Sequence, residues 1–235
     1  MPCRADAVTA ARRGAIFGTV SERTLAELRR EYTAGGLAEE DLLPEPVAMF
    51  RRWLHDATAA GLHEPNAMVV ATVAPDGRPS SRMVLLKGLD ERGVVFFTNY
   101  GSRKAGELDD NPACALLFPW HALERQLRVD GTAVRLTEEE NAAYFATRPR
   151  GSQIGAWASP QSEVVSSRAE LDRRYAETAD RFGEDGEIPL PENWGGYRVR
   201  PEALELWQGR RGRMHDRLRY RRTPDGQWVV ERLAP

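Results

Sequence analysis

Residues 67–87 read Ala-Met-Val-Val-Ala-Thr-Val-Ala-Pro-Asp-Gly-Arg-Pro-Ser-Ser-Arg-Met-Val-Leu-Leu-Lys, and their pattern decides the fold. Ala67–Val73 is an apolar run rich in β-branched residues, which suit a pleated, half-buried surface. Pro75-Asp76-Gly77 follows as a turn signal. Ser81–Leu86 then reads as a second strand. On a strand the side chains alternate, so Arg82, Val84 and Leu86 share one face and Met83, Leu85 and Lys87 the other.

Downstream the same pattern recurs. Val94–Thr98, Ala113–Phe118 and Gln126–Leu136 read as strands, the last with Leu127 and Val129 opposed to Arg128 and Asp130. Tyr197–Val199, Ala203–Trp207 and Leu218–Arg222 follow. A second Pro-Asp-Gly turn at 224–226 leads to a closing strand at Trp228–Leu233. Helical segments lie between. Ser102–Asp110 is a short one capped by Ser102, Thr137–Thr147 opens on a Thr137/Glu140 capping box, and Ser166–Phe182 is acid- and Arg-laced. Pro189, Pro191 and Gly195-Gly196 read as a loop, and Pro149 as a helix end, which puts Ser152 in a loop.

Upstream, Ser21–Tyr32 reads as a helix ended by Gly35-Gly36. Pro44 and Pro46 open another, with Val47, Phe50, Trp53 and Leu54 at helical spacing and Gly61 after it. Residues 1–20 are Ala/Arg-rich with little periodicity and read as a disordered tail. Seven or eight strands in meander order, with added helices, predict a mainly β (α+β) antiparallel barrel, one domain over 21–235.

Composition narrows the function. The chain has 235 residues, 41% hydrophobic and 29% charged, which is a globular balance. A net charge of -2 argues against a general nucleic-acid binder. No run approaches the roughly 18 apolar residues of a membrane span. Two cysteines, Cys3 and Cys114, suit a reducing compartment, the cytoplasm, and exclude a cysteine-cluster metal site. Four histidines form no spaced metal pair, so no metal is expected. Lys87 and Lys104 are the only lysines among 33 basic residues. A compact ammonium differs from a planar guanidinium, and two lysines kept in an Arg-rich chain mark places where a fork does not fit.

Three segments suit anions. Thr98 to Lys104 runs from a strand into a helix start, where backbone N–H groups attract phosphate, although the spacing is not that of a P-loop. Tyr144, Arg148 and Ser152 fall four apart and offer hydroxyl, guanidinium and hydroxyl. Between Gln208 and Arg222 lie seven arginines, with Trp207 and Tyr220 beside them. The alternation from Arg217 onward reads as a solvated strand face rather than a nucleic-acid groove. His215, between Arg213 and Arg217, is the most pointed residue there.

Taken together, these segments resemble the pyridoxamine 5'-phosphate oxidase family. The likeness runs from about Leu28 to Pro235. It rests on Arg29-Arg30-Glu31-Tyr32, Arg82–Lys87, Gly101-Ser102-Arg103-Lys104, Phe118-Pro119-Trp120-His121 and Glu124-Arg125-Gln126. It continues through Arg148-Pro149-Arg150, 152–157, Trp194-Gly195-Gly196, Trp207-Gln208-Gly209 and 213–217. The resemblance implies an FMN-binding split β-barrel, dimeric, with FMN between the subunits. It implies oxidation of pyridoxamine or pyridoxine 5'-phosphate to pyridoxal 5'-phosphate by oxygen, with hydrogen peroxide formed. By the same resemblance FMN meets Arg82, Met83, Val84, Leu85, Leu86, Lys87, Phe97, Thr98, Arg103, Lys104, Gln126, Gln161, Ser162, Trp207 and Arg217. The substrate phosphate meets Lys87, Tyr144, Arg148 and Ser152; Arg213 and His215 lie over the pyridine ring as catalytic residues. Arg29 and Tyr32 belong to an N-terminal lid helix that also binds substrate. Two alternatives stand beside this: a related split-barrel flavoenzyme with a phenazine-type substrate, and a non-catalytic FMN or pyridoxal phosphate binder.

Overall fold

A computed structural model describes residues 19–20, 23–24, 31–33 and 35–235. Its centre is a curled antiparallel sheet of nine strands. A separate two-stranded ladder pairs β1 (Thr19–Val20) with β2 (Arg23–Thr24). That ladder corrects part of the helix expected over 21–32: β-branched Thr19, Val20 and Thr24 favour extended backbone. Tyr32 is irregular as well, while 21–22 and 25–30 lie outside the described residues. The disordered tail expected over 1–20 also lies outside them, apart from β1.

The large sheet contains β3 (Ala67–Val73), β4 (Pro79–Leu85), β5 (Gly88–Asp90), β6 (Gly93–Asn99), β7 (Ala113–Trp120), β8 (Arg125–Arg135), β9 (Trp194–Gln208), β10 (Asp216–Arg222) and β11 (Trp228–Arg232). Its main path runs β11-β10-β9-β8-β7-β3-β4, so β4 is an edge. β5 is too short to announce itself in the sequence. β9 unites two expected strands and includes Gly195-Gly196, expected in a loop. The glycines are there for close packing. A Cβ on Gly195 would lie 2.3 Å from Tyr100 Oη, and one on Gly196 would lie 2.6 Å from Leu136 Cδ1. Along one side β9 pairs with β8; along the other it pairs first with β6, then with β10. A register shift at Asp130/Gly131 bends the β8–β9 pair.

Period-two burial builds the core. Val70, Leu116, Val129, Leu204 and Tyr220 are paired neighbours across β3, β7, β8, β9 and β10. All five are at most 1% exposed. Helix α1 (Pro46–Ala59) closes this face with Met49, Phe50, Trp53 and Ala57. Phe50 meets Phe118 edge-on with centroids 4.9 Å apart.

Four further helices flank the sheet: α2 (Arg103–Asp110), α3 (Glu138–Ala146), α4 (Arg150–Ala158) and α5 (Arg168–Phe182). The expected Thr137/Glu140 capping box is present on α3. Ser102 precedes α2 but makes no side-chain cap bond, because its hydroxyl receives Lys104 instead. Ser152 lies in the first turn of α4 rather than in a loop. Pro149 ends one helix and is the N-cap of the next, where its missing N–H costs nothing. Among the described residues, no helix is long and apolar enough to cross a membrane, and no cluster of three metal-ligating side chains occurs.

Candidate active site

The edge strand β4, the end of β6, the start of α2 and the Gln161-Ser162 loop enclose a pocket of about 540 Å³. Both lysines of the chain line it, with Arg82, Arg103 and Arg148. Five cationic side chains and no carboxylate make up its charged lining. Met83, Val84, Leu85, Phe97, Thr98, Tyr144, Gln161, Ser162 and Trp194 complete it.

Lys104 is 7% exposed. Its Nζ donates to Gln161 Oε1 at 2.6 Å, Thr98 Oγ1 at 2.9 Å and Ser102 Oγ at 3.1 Å. Burial and then the neighbouring Arg82 push its ammonium down to about 8, against a smaller opposing pull from Glu107. Asn99 ties the Gln161 loop to β6 by donating from Nδ2 to Ser159 O at 3.4 Å. Ser162 is held at φ 75°, a left-handed conformation uncommon for a serine.

At the other wall, Tyr144 stacks on Phe97 at 3.9 Å between centroids, and Phe97 stacks on Trp194 at 5.2 Å. Arg148 lies over Trp194 at 4.5 Å. Its Nη1 is buried without a hydrogen-bond partner, and desolvation lowers the guanidinium from its ordinary value. A buried donor left unpaired calls for an acceptor from outside the chain. The strong donor set and the orphaned nitrogen fit phosphate-bearing ligands.

A second cluster forms elsewhere. Trp207 and His215 have centroids 4.6 Å apart, and Tyr32 meets both edge-on at 5.7 and 5.4 Å. His215 Nδ1 accepts from Arg210 N at 3.1 Å, so the neutral ring carries its proton on Nε2 and presents a donor. Arg213 is exposed, at φ 61°. Gln126 pairs with Trp207 across β8–β9, and Arg217 with Trp207 across β9–β10. Arg217 Nε donates to the buried carboxylate of Glu205 at 2.8 Å.

The expected site residues thus separate into two groups. Trp194 in the pocket and Trp207 in the second cluster lie thirteen residues apart on β9. At ~3.3 Å per residue that is roughly 40 Å of strand. Gln126, Trp207, Arg213, His215 and Arg217 are therefore absent from the pocket lining. Two nearer expectations also miss it. The Leu86 side chain is 7% exposed in the core, and Ser152 is exposed on α4 outside the lining. Arg29 lies outside the described residues.

A family model described as pyridoxamine 5'-phosphate oxidase matches residues 54–181. A second, the pyridoxine 5'-phosphate oxidase C-terminal dimerisation region, matches 194–235. The chain belongs to the pyridoxamine 5'-phosphate oxidase family. A pyridoxine/pyridoxamine 5'-phosphate oxidase of Rubrobacter xylanophilus is 62% identical over 215 residues, 92% of this chain and 98% of that one. One from a Nocardioides species is 62% identical over 211 residues, 90% and 98% of the two chains. Among solved structures, PhzG from Burkholderia lata 383 in complex with tetrahydrophenazine-1-carboxylic acid superposes with a TM-score of 0.80 at 33% identity. It covers 86% of this chain and 99% of that one. A pyridoxamine 5'-phosphate oxidase-related, FMN-binding protein from Nostoc punctiforme superposes at 0.65 and 18% identity, which speaks for the split β-barrel fold.

For a pyridoxamine 5'-phosphate oxidase family chain, three residues emerge to which the sequence reading gave no role in the site. Trp194 stacks in the pocket, buried Asn141 donates to Tyr100 and accepts from Gly196 N, and Glu107 lies behind Arg82. The four-residue spacing from Arg103 was the one local signal for Glu107.

Proposed function

We propose that the basic pocket and the Trp207–His215 cluster are two halves of one active site, completed when two copies of the chain pair. The chain is an FMN-dependent oxidase that converts pyridoxamine or pyridoxine 5'-phosphate to pyridoxal 5'-phosphate with oxygen as acceptor. Hydrogen peroxide is the co-product, with ammonia released from the amine substrate. The observation that carries the assignment of roles is the pocket lining, five cations without a carboxylate around an unpaired Arg148 nitrogen.

In this reading Arg82, Arg103 and Lys104 hold the FMN phosphate, and Thr98, Gln161 and Ser162 shape its surroundings. The free edge of β4 from Met83 to Leu85 supplies backbone groups for the flavin ring. Lys87, Tyr144 and Arg148 hold the substrate phosphate, with Ser152 reaching it only by a shift of α4. Gln126, Trp207 and Arg217 of the second copy close the flavin site. Arg213 and His215 of that copy face the substrate ring, with Tyr32 above them as part of the lid. His215 offers an Nε2–H donor, which orients the substrate heteroatom. Exposed Met83 and Met214, at 59% and 69%, mark apolar surface beside each half-site that pairing would cover. FMN supplies the acceptor for the two electrons taken from the substrate carbon. Buried free Cys114 fits a reducing cytoplasm.

The likeness to PhzG supports a second reading, a phenazine-type substrate. The surplus of cations at Lys87 and Arg148 favours a phosphate ester. Anaerobic FMN-loaded protein should lose its visible flavin band on adding pyridoxamine 5'-phosphate and regain it in air. Bleaching only by a phenazine precursor would establish the second reading, and bleaching by neither would mean a carrier.

A further inference from the structure

Two of the pocket's cations, Arg82 and Arg103, are held from behind by a residue outside its lining. Glu107 on α2 is 4% exposed. Its Oε1 accepts from Arg103 Nε at 2.8 Å. Its Oε2 accepts from Thr72 Oγ1 at 2.5 Å and Ser80 Oγ at 2.6 Å, with Arg82 Nη2 at 3.3 Å. The same two hydroxyls accept from Arg82: Nη1 reaches Thr72 Oγ1 at 2.6 Å and Nη2 reaches Ser80 Oγ at 2.5 Å. An ionised carboxylate only accepts. Each hydroxyl must therefore turn its single proton toward Glu107 and its lone pair toward Arg82. The geometry fixes two guanidiniums at once, Arg103 directly and Arg82 both directly and through Thr72 and Ser80.

We propose that Glu107 is a positioning residue that makes the pocket select FMN over flavins lacking the phosphate, by aligning Arg82 and Arg103. This rests on the reading that those arginines and Lys104 meet the FMN phosphate. Three cations against one carboxylate leave a surplus of two positive charges, matching a phosphate monoester dianion. Burial raises the Glu107 carboxyl, but the bonds from Ser80, Thr72 and Arg103 outweigh it and hold the group at about 2. It is thus ionised throughout the working pH range.

The sign of the Glu107→Gln effect separates positioning from simple charge. Removing a negative charge beside a dianion tightens binding on Coulomb grounds. Loss of alignment weakens it, because the Gln NH2 must face donors in either orientation, the Thr72 and Ser80 hydroxyls or Arg103 Nε. The test titrates flavin-free full-length protein with FMN and with riboflavin, following flavin fluorescence, in parallel with thermal melts. For Glu107→Gln the expected result is FMN binding about tenfold or more weaker, with riboflavin binding unchanged. Unchanged or tighter FMN binding overturns the proposal, and so does an equal loss for both flavins, which marks general structural support. If Glu107→Gln does not fold, Glu107→Asp keeps the charge and shortens the reach. It should weaken FMN selectively, and an FMN affinity equal to the parent's overturns the proposal. If the parent chain itself binds riboflavin as tightly as FMN, the phosphate reading falls and takes the proposal with it.

Discussion

Lys104 spends its three ammonium protons on three neutral oxygens, and that choice sets a pH dependence. With burial and Arg82 pushing it down to about 8, the folded chain without ligand disfavours the charged form. The sign follows from linkage: the destabilisation is present in full below about 8 and fades as pH rises toward the ordinary lysine value. Phosphate binding has the opposite sign, since a dianion requires the ammonium. FMN affinity should be flat near neutrality and about tenfold weaker around pH 9. Lys104→Gln should bind FMN weakly at all pH values and lose that step. A step that survives in Lys104→Gln would assign it to another group. An arginine could not give this behaviour, because its guanidinium stays charged. The two lysines were legible as special from composition, and both line the pocket. Asn141 was not legible and Glu107 showed only as a partner four residues from Arg103, because a buried polar residue looks like any other until its partners are in place.

Helix α3 shows what local sequence controls. Thr137 Oγ1 accepts from Glu140 N at 3.2 Å and Glu140 returns to Thr137 N at 3.2 Å, satisfying two donors that the helix start leaves free. The helix then carries Tyr144 onto Phe97. Thr137→Ala should cost about 1 kcal/mol, seen as a melting temperature roughly 2–4 °C lower at fixed protein concentration. FMN affinity should stay the same, while a loss of it would show that Tyr144 depends on the cap. This box was readable because it lies within four residues, as was the β3–β4 pair around Pro75-Asp76-Gly77. Where distant contacts decide, the sequence reading failed. Gly195 and Gly196 suggested a loop, yet Tyr100 and Leu136 crowd that strand so closely that only glycine fits. Pro149 does follow the end of α3 as expected, but it also starts α4, so the loop expected for Ser152 is helix. Ser102 had cap chemistry but lies closer to Lys104's need for an acceptor.

At the scale of the molecule, the proposed pairing rests on the length of β9. Trp194 at one end belongs to the basic pocket and Trp207 at the other to the His215 cluster, with roughly 40 Å of strand between them. A stiff strand hydrogen-bonded along both edges cannot fold back to join them. In a two-fold pair, each end of one β9 can meet the opposite end of the other, giving two identical sites. This predicts complementation between variants that are each inactive. Arg148→Ala damages the pocket half, and Arg213→Leu damages the other half. Denatured together and refolded, the two chains form mixed dimers in which one site receives both lesions and the other receives none. With random pairing the mixture should regain about a quarter of parental turnover, while each variant refolded alone stays inactive. If each chain held a complete site, every site in the mixture would carry one lesion and no activity would return. Mixed dimers confirmed by mass spectrometry but still inactive would therefore exclude the shared site.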